Sequence, residues 1–208
     1  EAGSKQFFHP KYQRNIMIAI IDYGAGNVKS VENAVRKLGF ETIITSDFKE
    51  IRNAEKVIFP GVGEASTAMN YLKERNLDTL IPTLKQPFLG ICLGQQLLCD
   101  FSEEGNTQCL GIFNLKVKEF PATDIVPHMG WNSLQEIKGD LLDGISSDDN
   151  FYFVHSYYCE TGKNTTSECV YILPFSATLQ KDNFYGTQFH PEKSGDIGSK
   201  ILENFLKL

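Results

Sequence analysis

Apolar positions along the 208-residue chain switch repeatedly between two periods. The run Ile16-Met17-Ile18-Ala19-Ile20-Ile21 is rich in β-branched residues, short, and stopped by Asp22-Tyr23-Gly24, as a buried strand should be. Residues 28–38 then space Val28, Val31, Ala34, Val35 and Leu38 three and four apart, with Gly39 behind them. That spacing predicts an amphipathic helix. Thr42-Ile43-Ile44-Thr45 and Lys56-Val57-Ile58-Phe59 read as the second and third strands, the latter stopped by Pro60-Gly61. A helix is expected over about 65–74. Pro87-Phe88-Leu89-Gly90-Ile91 is a fourth strand that runs straight into a helix from Leu93. A strand over 184–189 and a helix over about 197–206 close the chain. Strands alternating with helices predict a single α/β domain, with a mostly parallel central sheet flanked by helices. Over 115–176 short strands and turns take over, and these are expected to add edge or antiparallel strands to the same sheet. Residues 1–14 lack periodicity and read as a disordered extension or a cloning remnant, which leaves 15–208 as the domain.

Composition narrows the function. The chain is 41% hydrophobic and 22% charged, ordinary for a globular protein. No run of about 18 apolar residues suggests a membrane span, and no apolar h-region of a secretory signal opens the chain. Net charge is −6 with no dense Lys/Arg run, which argues against nucleic acid and anionic membranes as partners. Cys92, Cys99, Cys109, Cys159 and Cys169 are odd in number and scattered, as expected of reduced thiols in a cytoplasm. They form no C-x-x-C pair, and His9, His128, His155 and His190 have no metal-site spacing, so no metal is expected. Gly24-Ala25-Gly26 lacks the third glycine of a dinucleotide fingerprint and no G-K-[ST] occurs, so neither NAD nor ATP is indicated and no cofactor is expected.

The candidate chemistry centres on Gly90-Ile91-Cys92-Leu93-Gly94, a buried strand turning directly into a helix. This is a nucleophile elbow with Cys in the Ser position. Such a turn strains the central residue, and side chains at 90 or 94 would collide with neighbouring backbone. The helix N-terminus that follows favours thiolate over thiol. A lone Cys is more often a small core residue; the flanking glycines and the strand-to-helix context reverse that preference. Thr187-Gln188-Phe189-His190-Pro191-Glu192 supplies a candidate base, His190, and a candidate acid to orient it, Glu192. Pro60-Gly61-Val62-Gly63, at the carboxyl end of a strand, offers backbone N–H groups for an oxyanion, although an ordinary turn would look the same.

With these motifs in order, residues 16–208 resemble the class I (triad-type) glutamine amidotransferases. The resemblance implies a flavodoxin-like sheet and a glutaminase with Cys92, His190 and Glu192 as its catalytic triad. It implies oxyanion donors at Gly61, Val62, Gly63 and Leu93, and glutamine held by Gln96, Glu104, Ser156 and Tyr157. Residues 21–27, 127–132, 153–157 and 190–195 further resemble one branch of the family, the glutaminase subunits of imidazole glycerol phosphate synthases. That branch implies a heterodimer with a (β/α)₈-barrel cyclase that receives the ammonia for histidine biosynthesis, and interface positions at Asn27, Trp131 and Lys193. Plainer readings make Asn27 a helix cap and Trp131 a partly buried core aromatic. Gln95 departs from the Met usual in the family, and Cys99 reads as packing. Competing functions are the same chemistry feeding a cyclase-like partner in surface-sugar synthesis, a free-standing hydrolase of this fold, and a non-catalytic binding module.

Overall fold

The continuous apolar run at the start of the domain forms β1 (Met17–Ile21), and its neighbours explain why it does not alternate. Ile18 and Ile20 enter one core layer, and Ala19 and Ile21 enter the other. A strand covered on both faces needs apolar residues at every position. β2 (Glu41–Thr45), β3 (Lys56–Gly61) and β4 (Phe88–Cys92) lie beside it, every pairing parallel. The structure, a computed structural model, describes residues 16–24 and 27–208. The reading of residues 1–14 therefore lies outside the described residues.

The main sheet has seven strands, in the order Thr165–Tyr171, Leu173–Lys181, Phe184–Thr187, β4, β3, β1, β2. It is parallel from Phe184–Thr187 to β2 and antiparallel at the other edge. Helices α1 (Val28–Lys37) and α6 (Gly195–Lys207) press Val31, Val35, Ile201, Leu202 and Phe205 onto one face. α3 (Ala65–Glu74) presses Ala68, Met69 and Leu72 onto the other, followed by the short α4 (Leu77–Leu80). Each of these side chains larger than alanine contributes about 1.5–3 kcal/mol on burial. That reserve lets the fold tolerate strain at a few positions. α2 (Phe48–Asn53) is an addition to the pattern read from sequence; Asp47 caps it, accepting from the Lys49 and Glu50 amides at 2.8 and 3.0 Å.

Two strands that begin within residues 115–176, Thr165–Tyr171 and Leu173–Lys181, extend the main sheet as expected. The other strands of that region pair elsewhere, some with strands that precede it. Phe101–Ser102, Thr107–Gln108, Lys116–Glu119 and Tyr157–Cys159 build a four-stranded sheet, while His128–Ser133 and Asn150–His155 form a two-stranded ribbon. The ribbon leaves Met129 and Trp131 exposed on the outward side of one strand, a pattern that a doubly covered sheet could not accept.

β4 passes directly into α5 (Leu93–Leu97), which puts Gln95 wholly inside the core. Its Nε2 donates to the Ser176 carbonyl at 3.2 Å and to Cys159 Sγ at 3.5 Å. Its Oε1 is buried and has no hydrogen-bond partner among the described residues. Gly186 makes the room, since a Cβ there would lie 2.8 Å from that oxygen. An unsatisfied buried carbonyl costs roughly 1–3 kcal/mol, more than the ~1 kcal/mol returned by one ordinary hydrogen bond. Gln95→Met should therefore raise the melting temperature by about 2–4 °C for a domain of this size. Thermal unfolding followed by circular dichroism checks this; a lower melting temperature would mean that the Gln95 amide is fully satisfied.

Candidate active site

Cys92 sits where β4 ends and α5 begins, at φ 55° and ψ −109°. A non-glycine residue at positive φ costs of order 1–3 kcal/mol and persists only where its surroundings over-determine it. Here they do. A Cβ on Gly94 would lie 2.0 Å from the Phe59 carbonyl oxygen of β3, and one on Gly90 would lie 2.6 Å from the Gly94 oxygen. The first turn of α5 is thus pressed onto β3 and β4 at a distance only glycine allows. The Leu93 N–H, in the first turn of the helix, has no intrahelical acceptor.

The segment after strand Phe184–Thr187 carries the second component. That strand ends two residues short of the expected Phe189, but Gln188 N and His190 N still donate to the Ala177 and Tyr152 carbonyls at 2.8 and 3.0 Å. His190 is buried, and its Nδ1 donates to Glu192 Oε1 at 2.8 Å. Glu192 lies in the turn Pro191–Lys193 with its side chain fully buried. The same Oε1 accepts a hydrogen bond from Asn27 Nδ2. Burial disfavours the imidazolium, but the Cys92 thiolate and the Glu192 carboxylate outweigh it and push the His190 pKa up to about 10. His190 Nε2 makes no well-formed hydrogen bond. Cys92 and His190 are therefore close enough to share charge without being aligned, as catalytic pairs often are before substrate arrives.

Cys92 and His190 open onto a cavity of about 360 Å³. Its wall holds Gln96, Glu104, Ser156 and Tyr157, together with Val62, Gly63 and Leu93, so the structure brings the expected substrate and oxyanion positions together. Glu104 is fixed at the N-terminus of α3 by the Ala65 amide at 2.8 Å. Desolvation, opposed by that amide and reinforced by Glu64, raises its pKa. Gly61 closes against α5, where a Cβ would lie 2.5 Å from Gly94 N. The Val62 N–H is directed to Tyr23 Oη at 3.1 Å.

The interface positions fall outside this cavity. Trp131 is 58% exposed and meets Tyr152 edge-on at 5.9 Å, which sets aside its reading as a core aromatic. Lys193 is exposed beside Glu192. Asn27 precedes α1 at φ 85°, and its side chain makes no capping bond, because it is turned to Glu192 instead. Among the described residues, no group of three His, Cys, Asp or Glu is placed to hold a metal ion, and no helix is long and apolar enough to cross a membrane.

At the cavity wall His155 joins His128 in a pair to which the sequence motifs assign no role. His155 Nδ1 donates to the Tyr157 carbonyl at 2.8 Å, so its Nε2 must accept from His128 Nδ1 at 3.0 Å. His128 is stacked between Phe153 and Tyr171, with ring centroids 4.9 and 4.1 Å away. Burial pushes the His128 pKa down to about 4. Burial, helped by His128 and His190 and opposed by the Tyr157 carbonyl, pushes that of His155 down to about 3. Gln188 was also missed. Its spacing of two from His190 on an extended segment, which puts both side chains on one face, was the available signal.

A cysteine on a strand-to-helix elbow, near an imidazole that leans on a buried carboxylate, is the arrangement that acyl transfer by a cysteine nucleophile requires. A family model described as glutamine amidotransferase class-I matches residues 19–208, and the chain belongs to that family. It is 56% identical to the imidazole glycerol phosphate synthase subunit HisH of Bacteroides fragilis (strain YCH46), over 92% of this chain and 99% of that one. The HisH subunit of Haemophilus influenzae (strain Rd) is 47% identical, over 92% of this chain and 98% of the relative. Among solved structures, a glutamine amidotransferase from Thermotoga maritima shares the fold, with a TM-score of 0.64 at 16% identity, over 94% of this chain and 84% of that one.

The histidine pair makes the fold acid-sensitive. Both pKa values lie below the ordinary 6.5, so the unfolded chain binds more protons as pH falls. Their stabilising contribution is complete above about pH 6.5 and is lost progressively toward pH 4 and 3. Melting temperatures at pH 7.5, 6 and 5 should fall more steeply for the wild type than for His128→Phe, which keeps the stacking and removes one titrating ring. Equal slopes would place the acid sensitivity elsewhere.

Proposed function

We propose that this chain is the glutaminase subunit of an imidazole glycerol phosphate synthase. It hydrolyses glutamine to glutamate and ammonia and hands the ammonia to a cyclase subunit in histidine biosynthesis. The observation that carries the reading is the convergence of strained Cys92, raised-pKa His190 and buried Glu192 beside a cavity with a carboxylate, Glu104, on its wall. The high identity to HisH subunits supports the pathway. Residues from about 15 onward form the glutamine amidotransferase domain, and the cytoplasm is its compartment.

In this mechanism the Cys92 thiolate attacks the side-chain amide carbon of glutamine. The carbonyl oxygen becomes an oxyanion held by the Leu93 N–H and by the loop Gly61-Val62-Gly63. His190, charged at neutral pH, gives its Nε2 proton to the amide nitrogen, and ammonia leaves as the thioester forms. Neutral His190 then takes a proton from water, hydroxide attacks the thioester, and glutamate departs with Cys92 restored as thiolate. Glu192 holds the imidazole in the required tautomer. Glu104 pairs with the substrate ammonium group, which offsets its raised pKa. Gln96 spends both amide hydrogens on the Tyr157 carbonyl and Gln188 Oε1, which leaves its own carbonyl oxygen for the substrate amide. Ser156 and Tyr157 close the pocket. For Val62 to serve the oxyanion, its N–H must exchange Tyr23 Oη for the substrate oxygen. One such donor is worth roughly 10²–10³ in rate, so a partner that favours the exchange gates the reaction.

The partner in this reading is a (β/α)₈-barrel cyclase, forming a heterodimer across Trp131, Lys193 and Asn27. Exposed Trp131 and Met129 supply the apolar anchor such an interface needs. The test is glutamine hydrolysis by the chain with and without the liganded cyclase, for the wild type and Cys92→Ala. The wild type should be slow alone and rise steeply with the cyclase. Cys92→Ala should lose at least about 10³-fold in glutaminase activity while synthesis from added ammonia continues. High activity independent of any cyclase would favour a free-standing hydrolase, and activation only by a different partner would favour the surface-sugar reading.

A further inference from the structure

We propose that Gln188 is a hydrogen-bond donor to the nucleophilic sulfur, locked in its donating orientation by a chain of bonds that ends on His155. The role rests on the reading of Cys92 as the nucleophile. It assigns chemistry to a residue outside the triad, the oxyanion donors and the substrate contacts.

A glutamine amide has two ends of equal size, and only its partners decide which way it points. Gln188 is wholly buried, so water cannot make that choice. The chain begins at the Tyr157 carbonyl, which can only accept. It receives His155 Nδ1 at 2.8 Å and Gln96 Nε2 at 2.8 Å. The Gln96 nitrogen is therefore fixed, and its second hydrogen needs an acceptor. Gln188 Oε1 fills that need at 3.0 Å. With its oxygen so engaged, Gln188 must turn its Nε2 toward Cys92, and that nitrogen lies 3.6 Å from Sγ. Reversing the Gln188 amide would set two N–H groups face to face and aim a carbonyl dipole at the sulfur.

The opposing group is the Val154 carbonyl, 3.9 Å from Sγ. It accepts the S–H of a thiol and repels a thiolate. Gln188 does the reverse: it attracts the thiolate and offers nothing to the S–H proton. The sulfur therefore sits between one group that favours each protonation state, and removing Gln188 leaves the Val154 carbonyl unopposed. Hydrogen bonds to charged groups are stronger than those between neutral ones, so the loss falls mainly on the thiolate. His190 remains in place to take and return the proton, which separates this role from general acid–base work.

The test uses the full chain as wild type, Gln188→Met and Gln188→Glu. Met removes the donor at similar volume. Glu keeps the acceptor for Gln96 and the shape, but puts a second oxygen at the sulfur. Alkylation of Cys92 by iodoacetamide, followed against pH by peptide mass, reports the thiolate without glutamine or a partner. Its half-maximal pH should rise by about one unit in the Met variant, and further in the Glu variant. In complex with the cyclase, kcat should fall roughly tenfold, which is the one-unit shift carried into rate, with KM changed less than about twofold. Near-UV circular dichroism verifies the fold, and if Met disturbs the packing the isosteric Glu carries the test. A wild-type alkylation profile in folded variants overturns the proposal. Loss of glutamine turnover in the wild type itself, with the alkylation shift still present, would instead overturn the glutaminase reading and leave the role of Gln188 standing.

Discussion

The approach of α5 to β3 is the constraint on which the rest of the site depends. The Gly94 position leaves no space for a Cβ against the Phe59 carbonyl, and Gly61 and Gly90 meet the same turn from two strands. This close contact forces Cys92 to positive φ and lifts its sulfur out of the sheet. The cost, of order 1–3 kcal/mol, is small beside the core beneath. Ile58, Leu89 and Ile91 on one face and Val57, Phe59 and Phe88 on the other are wholly buried and hold the two strands in register. The elbow is strained because its surroundings are not free to relax.

A second level of organisation is polar and buried. Gln95, Gln96, Gln188, His128, His155 and His190 all lie inside the domain. Such groups are costly unless each donor finds an acceptor. With the exceptions of Gln95 Oε1, His190 Nε2 and Glu192 Oε2, their buried side-chain polar atoms are satisfied among the described residues. Of the three exceptions, His190 Nε2 belongs to a residue on the cavity wall, where an unfilled position is open to a ligand, and Glu192 Oε2 lies behind it on the carboxylate that accepts from His190. The third, on Gln95, has no such use and stands as a cost to stability. The satisfied members give every amide and imidazole a single orientation, so that donors and acceptors converge on the sulfur in fixed directions.

The triad is also tied to the molecular surface. Asn27 and Glu192 are separated by 165 positions in sequence but share a hydrogen bond, and Lys193 and Trp131 lie outside. A carboxylate oxygen shared by an imidazole and an amide is held from two sides. Asn27 thus braces the carboxylate that accepts from His190.

The order of strands and helices, the elbow, and the residues that stand as candidate nucleophile, base and acid were legible in the chain. Each is written in local pattern: apolar period, glycines flanking Cys92, and a strand broken by Pro191 after His190. Short elements were less legible, and α2 was absent from the pattern because six residues of helix, under two turns, carry too little periodicity. The split of the 115–176 region among three sheets was also hidden, since pairing partners are chosen by long-range packing and not by strand propensity. The hydrogen-bonded chain that leads to the sulfur belongs to the same class of fact. Gln188, Gln96, Tyr157 and His155 come from three separate stretches of chain, and no spacing in any one of them reveals the others. Sequence alone determined which chemistry the domain carries, because reactive residue types and turns are local. Tertiary structure decided how that chemistry is oriented, because hydrogen-bond direction in a dry interior is set by partners that only folding brings together.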